Sequence, residues 1–147
     1  MDCSRREMLL MTALAAAVFT PVGRLLAAQG DAPVDAGEVA QYAKDGVYSE
    51  FSRSGFFIIV ASGRVAAQSA ICTHKRCRLS PGGDGFVCKC HGSAFSQAGK
   101  VTHAPAKEDL PRYGVSVNDQ KRLLVDLSKL FAPGRFDQPG AFVQVHA

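Results

Sequence analysis

Two stretches decide how this chain is read: Cys72-Thr73-His74-Lys75-Arg76-Cys77 and Cys88-Lys89-Cys90-His91-Gly92-Ser93. They hold four of the five cysteines and two of the four histidines, and the six donors fall within 20 residues. A lone buried cysteine is ordinarily inert packing, but donors at this density make one site. Three arrangements account for them. A structural zinc ion takes two cysteines and two histidines and leaves two cysteines without a role. Two disulfides use every thiol of an exported chain and leave both histidines idle. In the third, one Cys and one His from each stretch hold metal while the other two cysteines form a disulfide that clamps the stretches together. On the residues alone all three stay open, and the third is the one that employs all six.

Outward from these stretches the chain breaks into short apolar runs divided by Gly, Pro, Asn and Asp, the pattern of an all-β domain. Phe56–Val60 is a compact apolar run, Ser62-Gly63-Arg64 a turn, and Val65–Ile71 a returning strand. Phe86-Val87 follows the turn at Pro81-Gly82-Gly83-Asp84-Gly85. Tyr113, Val115 and Val117 alternate with Gly114 and Ser116, as a half-buried strand requires. Asn118-Asp119-Gln120 turns the chain, Leu123–Leu127 pairs back, and Phe142, Val143 and Val145 close the domain. Ser128–Phe131 is read as a single helical turn. The expectation is a small β sandwich or barrel with two busy loops, Cys72–Pro81 and Cys88–Gly99.

Residues 1–28 are set apart as an export signal. Arg5 and Arg6 precede an apolar stretch from Met8 to Phe19, and small residues stand at Ala27 and Ala28. That stretch is shorter than the roughly 20 residues that span a bilayer. Ser4-Arg5-Arg6-Glu7-Met8-Leu9-Leu10 resembles a twin-arginine signal, a route that moves folded proteins and suits a cofactor inserted before export. Cleavage after Ala28 releases the domain; left uncut, the segment serves as a membrane anchor. Residues 29–37, with Ala32-Pro33-Val34-Asp35-Ala36-Gly37, are read as a linker and 38–147 as the folded domain. At 47% hydrophobic and 20% charged, the chain has a soluble globular composition, without the excess of charge that marks disorder. Its net charge of +4 is too mild, and its basic residues too little interleaved with aromatics, for a nucleic-acid binder.

Cys-Thr-His-x-x-Cys followed by Cys-x-Cys-His-Gly-Ser resembles the Rieske 2Fe–2S proteins of cytochrome bc complexes and of arsenite oxidase, over about residues 50–130. The resemblance implies a Rieske-type β domain with a two-loop cluster-binding subdomain. It further implies that Cys72 and Cys88 bind one iron, that His74 and His91 bind the other, and that Cys77 and Cys90 are the disulfide pair. Two thiolates in place of four leave the oxidised centre neutral and the reduced centre singly negative. Such centres lie at roughly −150 to +300 mV, against about −400 mV for four thiolates. The outer ring nitrogens can lose a proton on oxidation, which couples electron to proton. Ser93 matches the serine that donates to a bridging sulfide and so raises the potential. Phe95 stands where the quinol-oxidising members carry a tyrosine that donates to a cysteine sulfur, which implies a lower potential here.

The chain also departs from those members. Lys75-Arg76 follows the first histidine, where they place an apolar residue, and Ala104-Pro105-Ala106-Lys107 stands where they have Gly-Pro-Ala-Pro. Lys75, Arg76, Arg78 and Lys89 crowd the loops with positive charge that suits an acidic partner or an anionic substrate site. His103, beside the proline segment, is a minor candidate for titration or partner contact. The expected function is an exported one-electron carrier at the periplasmic side, not catalytic alone. Its expected place is the iron–sulfur subunit of a quinol:cytochrome oxidoreductase-like complex, with a cytochrome or larger oxidoreductase subunit as redox partner and quinol as a candidate reactant. The alternative within the family is the small subunit of an arsenite-oxidase-like molybdoenzyme, towards which Asp109-Leu110-Pro111-Arg112 leans. The alternative from another class is a structural zinc-binding interaction domain.

Overall fold

The apolar run at Phe56–Val60 is buried along its whole length, because its strand has a core on each face. Residues 32–145 are described by a computed structural model. Among them eleven strands follow in order: β1 (Val34–Glu38), β2 (Gly46–Tyr48), β3 (Phe56–Ala61), β4 (Arg64–Ser69), β5 (Ser80–Gly82), β6 (Gly85–Val87), β7 (Ala94–Ser96), β8 (Val101–His103), β9 (Arg112–Val117), β10 (Arg122–Phe131) and β11 (Val143–Gln144). Two short 3-10 turns, Val39–Tyr42 and Ser52–Ser54, are the helical pieces of the described residues. The larger sheet runs β1-β10-β9-β4-β3-β2, with β11 paired to β4, and the smaller is a meander, β5-β6-β7-β8. The pairings are antiparallel.

Side chains alternate across a strand, and β3 uses both faces. Phe56, Ile58 and Val60 join Val65, Ala67, Val115, Leu123 and Val125 on one side of the large sheet. Phe57 and Ile59 face the other side, with Ala70, Leu79, Phe86, Phe95 and Leu110. A strand buried on both faces reads as a continuous hydrophobic run, and each large side chain so buried contributes about 1.5–3 kcal/mol. Phe57 stacks on Phe86 of β6 at 4.6 Å between centroids, nearly parallel, and so binds the two sheets together. The small sheet thereby gains a fixed place, and it carries the two donor stretches: one lies between β4 and β5, the other between β6 and β7.

The all-β expectation holds, and two segments differ in detail. Val34–Glu38, in the stretch read as linker and domain start, is an edge strand against β10. Val34 and Ala36 pack on the core while Asp35 Oδ2 accepts from Arg122 Nε at 2.6 Å. Pro33, Asp35 and Gly37 look like breakers, yet an edge strand tolerates them, and the register slips between Asp35 and Glu38. Ser128–Phe131 is not helical. The carboxylate of Asp126 accepts from both N–H and Oγ–H of Ser128, the pairing shifts there, and Leu130 and Phe131 resume opposite Tyr113 and Arg112. A bulge had the local look of a turn. The export segment, 1–28, lies outside the described residues. Among the described residues, no helix is long and apolar enough to cross a membrane.

Candidate metal centre

The two donor stretches are built alike. In the first, Cys72 N–H donates to Cys77 O at 2.8 Å and Arg76 N–H donates back to Cys72 O at 3.0 Å. In the second, Cys88 N–H donates to Ser93 O at 2.8 Å and Gly92 N–H donates back to Cys88 O at 2.9 Å. Each loop thus closes on its leading cysteine with the same two bonds. Each also needs a left-handed residue four positions on: Arg76 at φ 56° and Gly92 at φ 81°. Glycine at 92 is selected by that φ, since an added Cβ meets no protein atom within 4 Å. Arginine at 76 carries a cost of about 1–2 kcal/mol in the same conformation. Ile71 and Arg78 pair across the base of the first loop, and Leu79 N–H donates to Ala70 O at 2.8 Å.

This construction sets the leading cysteine of each loop inward and leaves the histidines nearer the surface. Cys72 and Cys88 are free and only 1% and 2% exposed. Cys77 and Cys90 are joined by a disulfide, Cα to Cα 6.5 Å, which ties one loop to the other. The sulfurs of Cys77, Cys88 and Cys90 lie within 4.8 Å of one another. His91 is exposed, His74 is half-buried, and the rings meet edge to face at 5.0 Å between centroids. Burial, then the nearby His91 and Lys75, lowers the His74 pKa below the ordinary histidine value. Nδ1 of His74 is shielded from solvent and has no hydrogen-bond partner. A buried imidazole nitrogen in that condition is rare, and a bound metal ion is one way to satisfy it.

A third segment, 104–111 between β8 and β9, braces both loops. Thr73 Oγ1 donates to Glu108 O at 2.7 Å, and Ala106 N–H donates to Ser93 Oγ at 3.0 Å. Ser93 is fully buried, and with its oxygen accepting from Ala106 it keeps its own hydrogen to donate. Pro105, Lys107 and Glu108 line a recess with Thr73 and His74. Gln68 holds the brace in place: its Nε2 donates to Leu110 O at 2.9 Å and Pro111 O at 3.0 Å, and its Oε1 accepts from Arg112 Nε at 3.1 Å. Asp109 Oδ1 accepts from Val101 N–H at 2.8 Å. The bracing roles of Gln68, Thr73 and Asp109 carry no motif in the sequence. The sequence signal for Gln68 is a lone amide inside the apolar and small run Val65–Ala70; the structure buries it fully, and a buried polar group needs partners. His103 is exposed on β8 opposite Ala94.

A two-fingered β domain that brings free buried thiols and a pair of imidazoles to one end defines a class of protein, the mixed sulfur and nitrogen metal carriers. The family model for the Rieske [2Fe-2S] domain matches residues 32–114. The chain belongs to the Rieske family, whose cofactor is a Rieske-type 2Fe–2S cluster, and it is an iron–sulfur electron carrier related to cytochrome b6-f iron–sulfur subunits. It is 31% identical over 93 residues to the cytochrome b6-f complex iron-sulfur subunit of Chlorobaculum tepidum, covering 62% of this chain and 46% of that one. A Synechococcus subunit of the same name is 42% identical over 53 residues, covering 35% and 30%. The chain therefore spans less than half the length of these curated relatives. The crystal structure of the plasma membrane Rieske protein of Synechocystis PCC 6803 superposes with a TM-score of 0.46 at 28% identity, over 63% of this chain and 97% of that chain.

Two expected results follow from the surroundings of the loops. Phe95, on β7 opposite Phe86, is 2% exposed and offers no hydroxyl. Phe95→Tyr should raise the midpoint potential by roughly 40–60 mV. A new hydrogen bond of about 1–1.5 kcal/mol gives that shift at 59 mV per tenfold change for one electron. A redox titration followed by EPR decides it, and an unchanged or lower potential would reject the argument. Cys77 and Cys90 are separated by 13 positions, and opening a loop of about that size costs roughly 3 kcal/mol. The Cys77→Ser/Cys90→Ser pair should lower the melting temperature by roughly 10 °C while iron remains bound. Unaltered melting would show that the backbone closure of each loop suffices.

Proposed function

We propose that Cys72 and Cys88 hold one iron of the cluster and His74 and His91 the other. The protein then works as the exported iron–sulfur subunit of a quinol:cytochrome oxidoreductase-like complex. The observation that carries the ligand assignment is the orphaned Nδ1 of His74, buried beside the His91 ring in loops whose two unpaired thiols are also buried. The cluster supplies a reversible one-electron couple. Cys72 and Cys88 keep their sulfurs out of water, where donors such as the Ser93 hydroxyl act more strongly than at the surface. His91, at the exposed end, presents its ring to solvent or to a partner. The Gln68-held brace fixes Thr73 and Ser93 and so keeps both loops in register.

The names of the related subunits, each an iron-sulfur subunit of a cytochrome b6-f complex, support an assembly of that kind as the partner. Arg5 and Arg6 support twin-arginine export to the periplasm, with the N-terminal segment cleaved or kept as an anchor. A second reading, the small subunit of an arsenite-oxidase-like enzyme, is favoured by exposed Lys75 and Arg76 where quinol docking wants an apolar residue. Purified protein should contain iron and acid-labile sulfide in equal amounts and, once reduced, give the EPR signal of a mixed-ligand centre. Zinc without sulfide would end this reading. Quinone analogues added with the partner complex should change the signal's shape, and indifference to them would favour the second reading. Export should stop in the Arg5→Lys/Arg6→Lys variant.

A further inference from the structure

Resting on that reading of the site, we infer that the cluster end of the domain docks an acidic face of a redox protein. Four exposed cations stand at this end: Lys75 and Arg76 directly after His74, Lys89 between Cys88 and Cys90, and Lys107. Lys107 lines the recess that also holds His74, and Glu108 is the acid there. Among the described residues none of these four cations is held in an ion pair. The two ion pairs among the described residues, Arg64 with Asp137 and Arg122 with Asp35, lie elsewhere and involve none of them. Arg76 is moreover fixed at the backbone, since its N–H is tied to Cys72 O in a left-handed conformation that the matching place in the second loop gives to glycine. Its charge is thus delivered from a closed loop, not from a free tail.

Clustered positive charge of this kind steers a negatively charged partner and fixes its orientation, and salt screens the effect over about 8 Å at physiological ionic strength. An apolar pocket would instead have to desolvate lysine and arginine head groups, which is costly. Carboxylates on the partner supply the missing counter-charge and bring its cofactor to the exposed His91 edge.

The test uses the reduced holoprotein and one acceptor in two charge states, native cytochrome c, which is basic, and its fully succinylated, acidic form. Stopped-flow oxidation by the succinylated form should be fast at low salt and fall steeply as salt is raised. Oxidation by the native form should be slower at low salt and should not fall. The Lys75→Gln/Lys89→Gln/Lys107→Gln variant, with its EPR signal verified, should lose roughly tenfold of the rate with the succinylated form at low salt. A rate independent of salt, or a preference for the basic form, with the EPR signal intact would overturn the docking inference and leave the ligand assignment standing. Absence of the EPR signal in the unaltered protein would instead remove the reading on which the inference rests.

Discussion

Replacing either His74 or His91 with alanine is expected to abolish the EPR signal of the reduced cluster while leaving the β domain folded. Each substitution removes one of the two nitrogen donors proposed for a single iron, and no water-filled substitute reproduces an imidazole. The fold should survive because neither ring belongs to the two cores. Both loops also close through backbone bonds, Cys72 to Cys77 and Cys88 to Ser93, that do not involve the rings. Circular dichroism should therefore keep its β character while iron per chain falls towards zero. His103→Ala provides the contrast, since that residue is exposed on β8. It should lose nothing. A signal retained in either alanine variant would refute the ligand assignment, and an equal loss in His103→Ala would show that the effect is not one of ligation.

How far the sequence could be read depended on whether the relevant force was local. The strand at Phe56–Val60 was legible because burial on both faces imposes a continuous apolar run. The two donor stretches were legible because their chemistry is written in adjacent residues. Val34–Glu38 was not, since its pairing with β10 joins residues about ninety positions apart and overrides the local turn signals. At Ser128 the local signal was real, an Asp126 side chain bonded to the next-but-one residue, but pairing with β9 on either side made it a bulge. The brace at 104–111 was the least visible part of the site. It works through carbonyl oxygens of Glu108, Leu110 and Pro111 and the amide of Ala106, and backbone groups leave no residue code. The family resemblance pointed to Ala104-Pro105-Ala106-Lys107, but the bonds that make it a brace run from Gln68, a buried amide in an apolar strand, and from backbone groups.

The same backbone logic gives the second large effect, at a residue with no chemistry. Gly85→Ala is expected to destabilise the domain by about 3 kcal/mol or more, the upper end for an overpacked site, and to lower cluster occupancy with it. Gly85 is paired on both sides, to Gly82 of β5 and Ser96 of β7. A Cβ there would fall on the carbonyl oxygen of Phe95 and come within 2.8 Å of Ser96 Cα. These are main-chain atoms, so no rotamer change relieves the clash and β7 itself must move. With β7 go Phe95 from the core and Ser93, which both closes the second loop on Cys88 and receives the Ala106 bond from the brace. Gly83→Ala separates space from conformation. Its Cβ meets nothing within 4 Å, but its φ of 57° is left-handed, a cost of about 1–2 kcal/mol, and it stands in the turn between β5 and β6, outside both donor stretches. Denaturant unfolding and iron per chain should therefore rank Gly85→Ala well below Gly83→Ala in both stability and loading. If the two variants unfolded alike with full iron, the small sheet would not be the platform that holds the second loop.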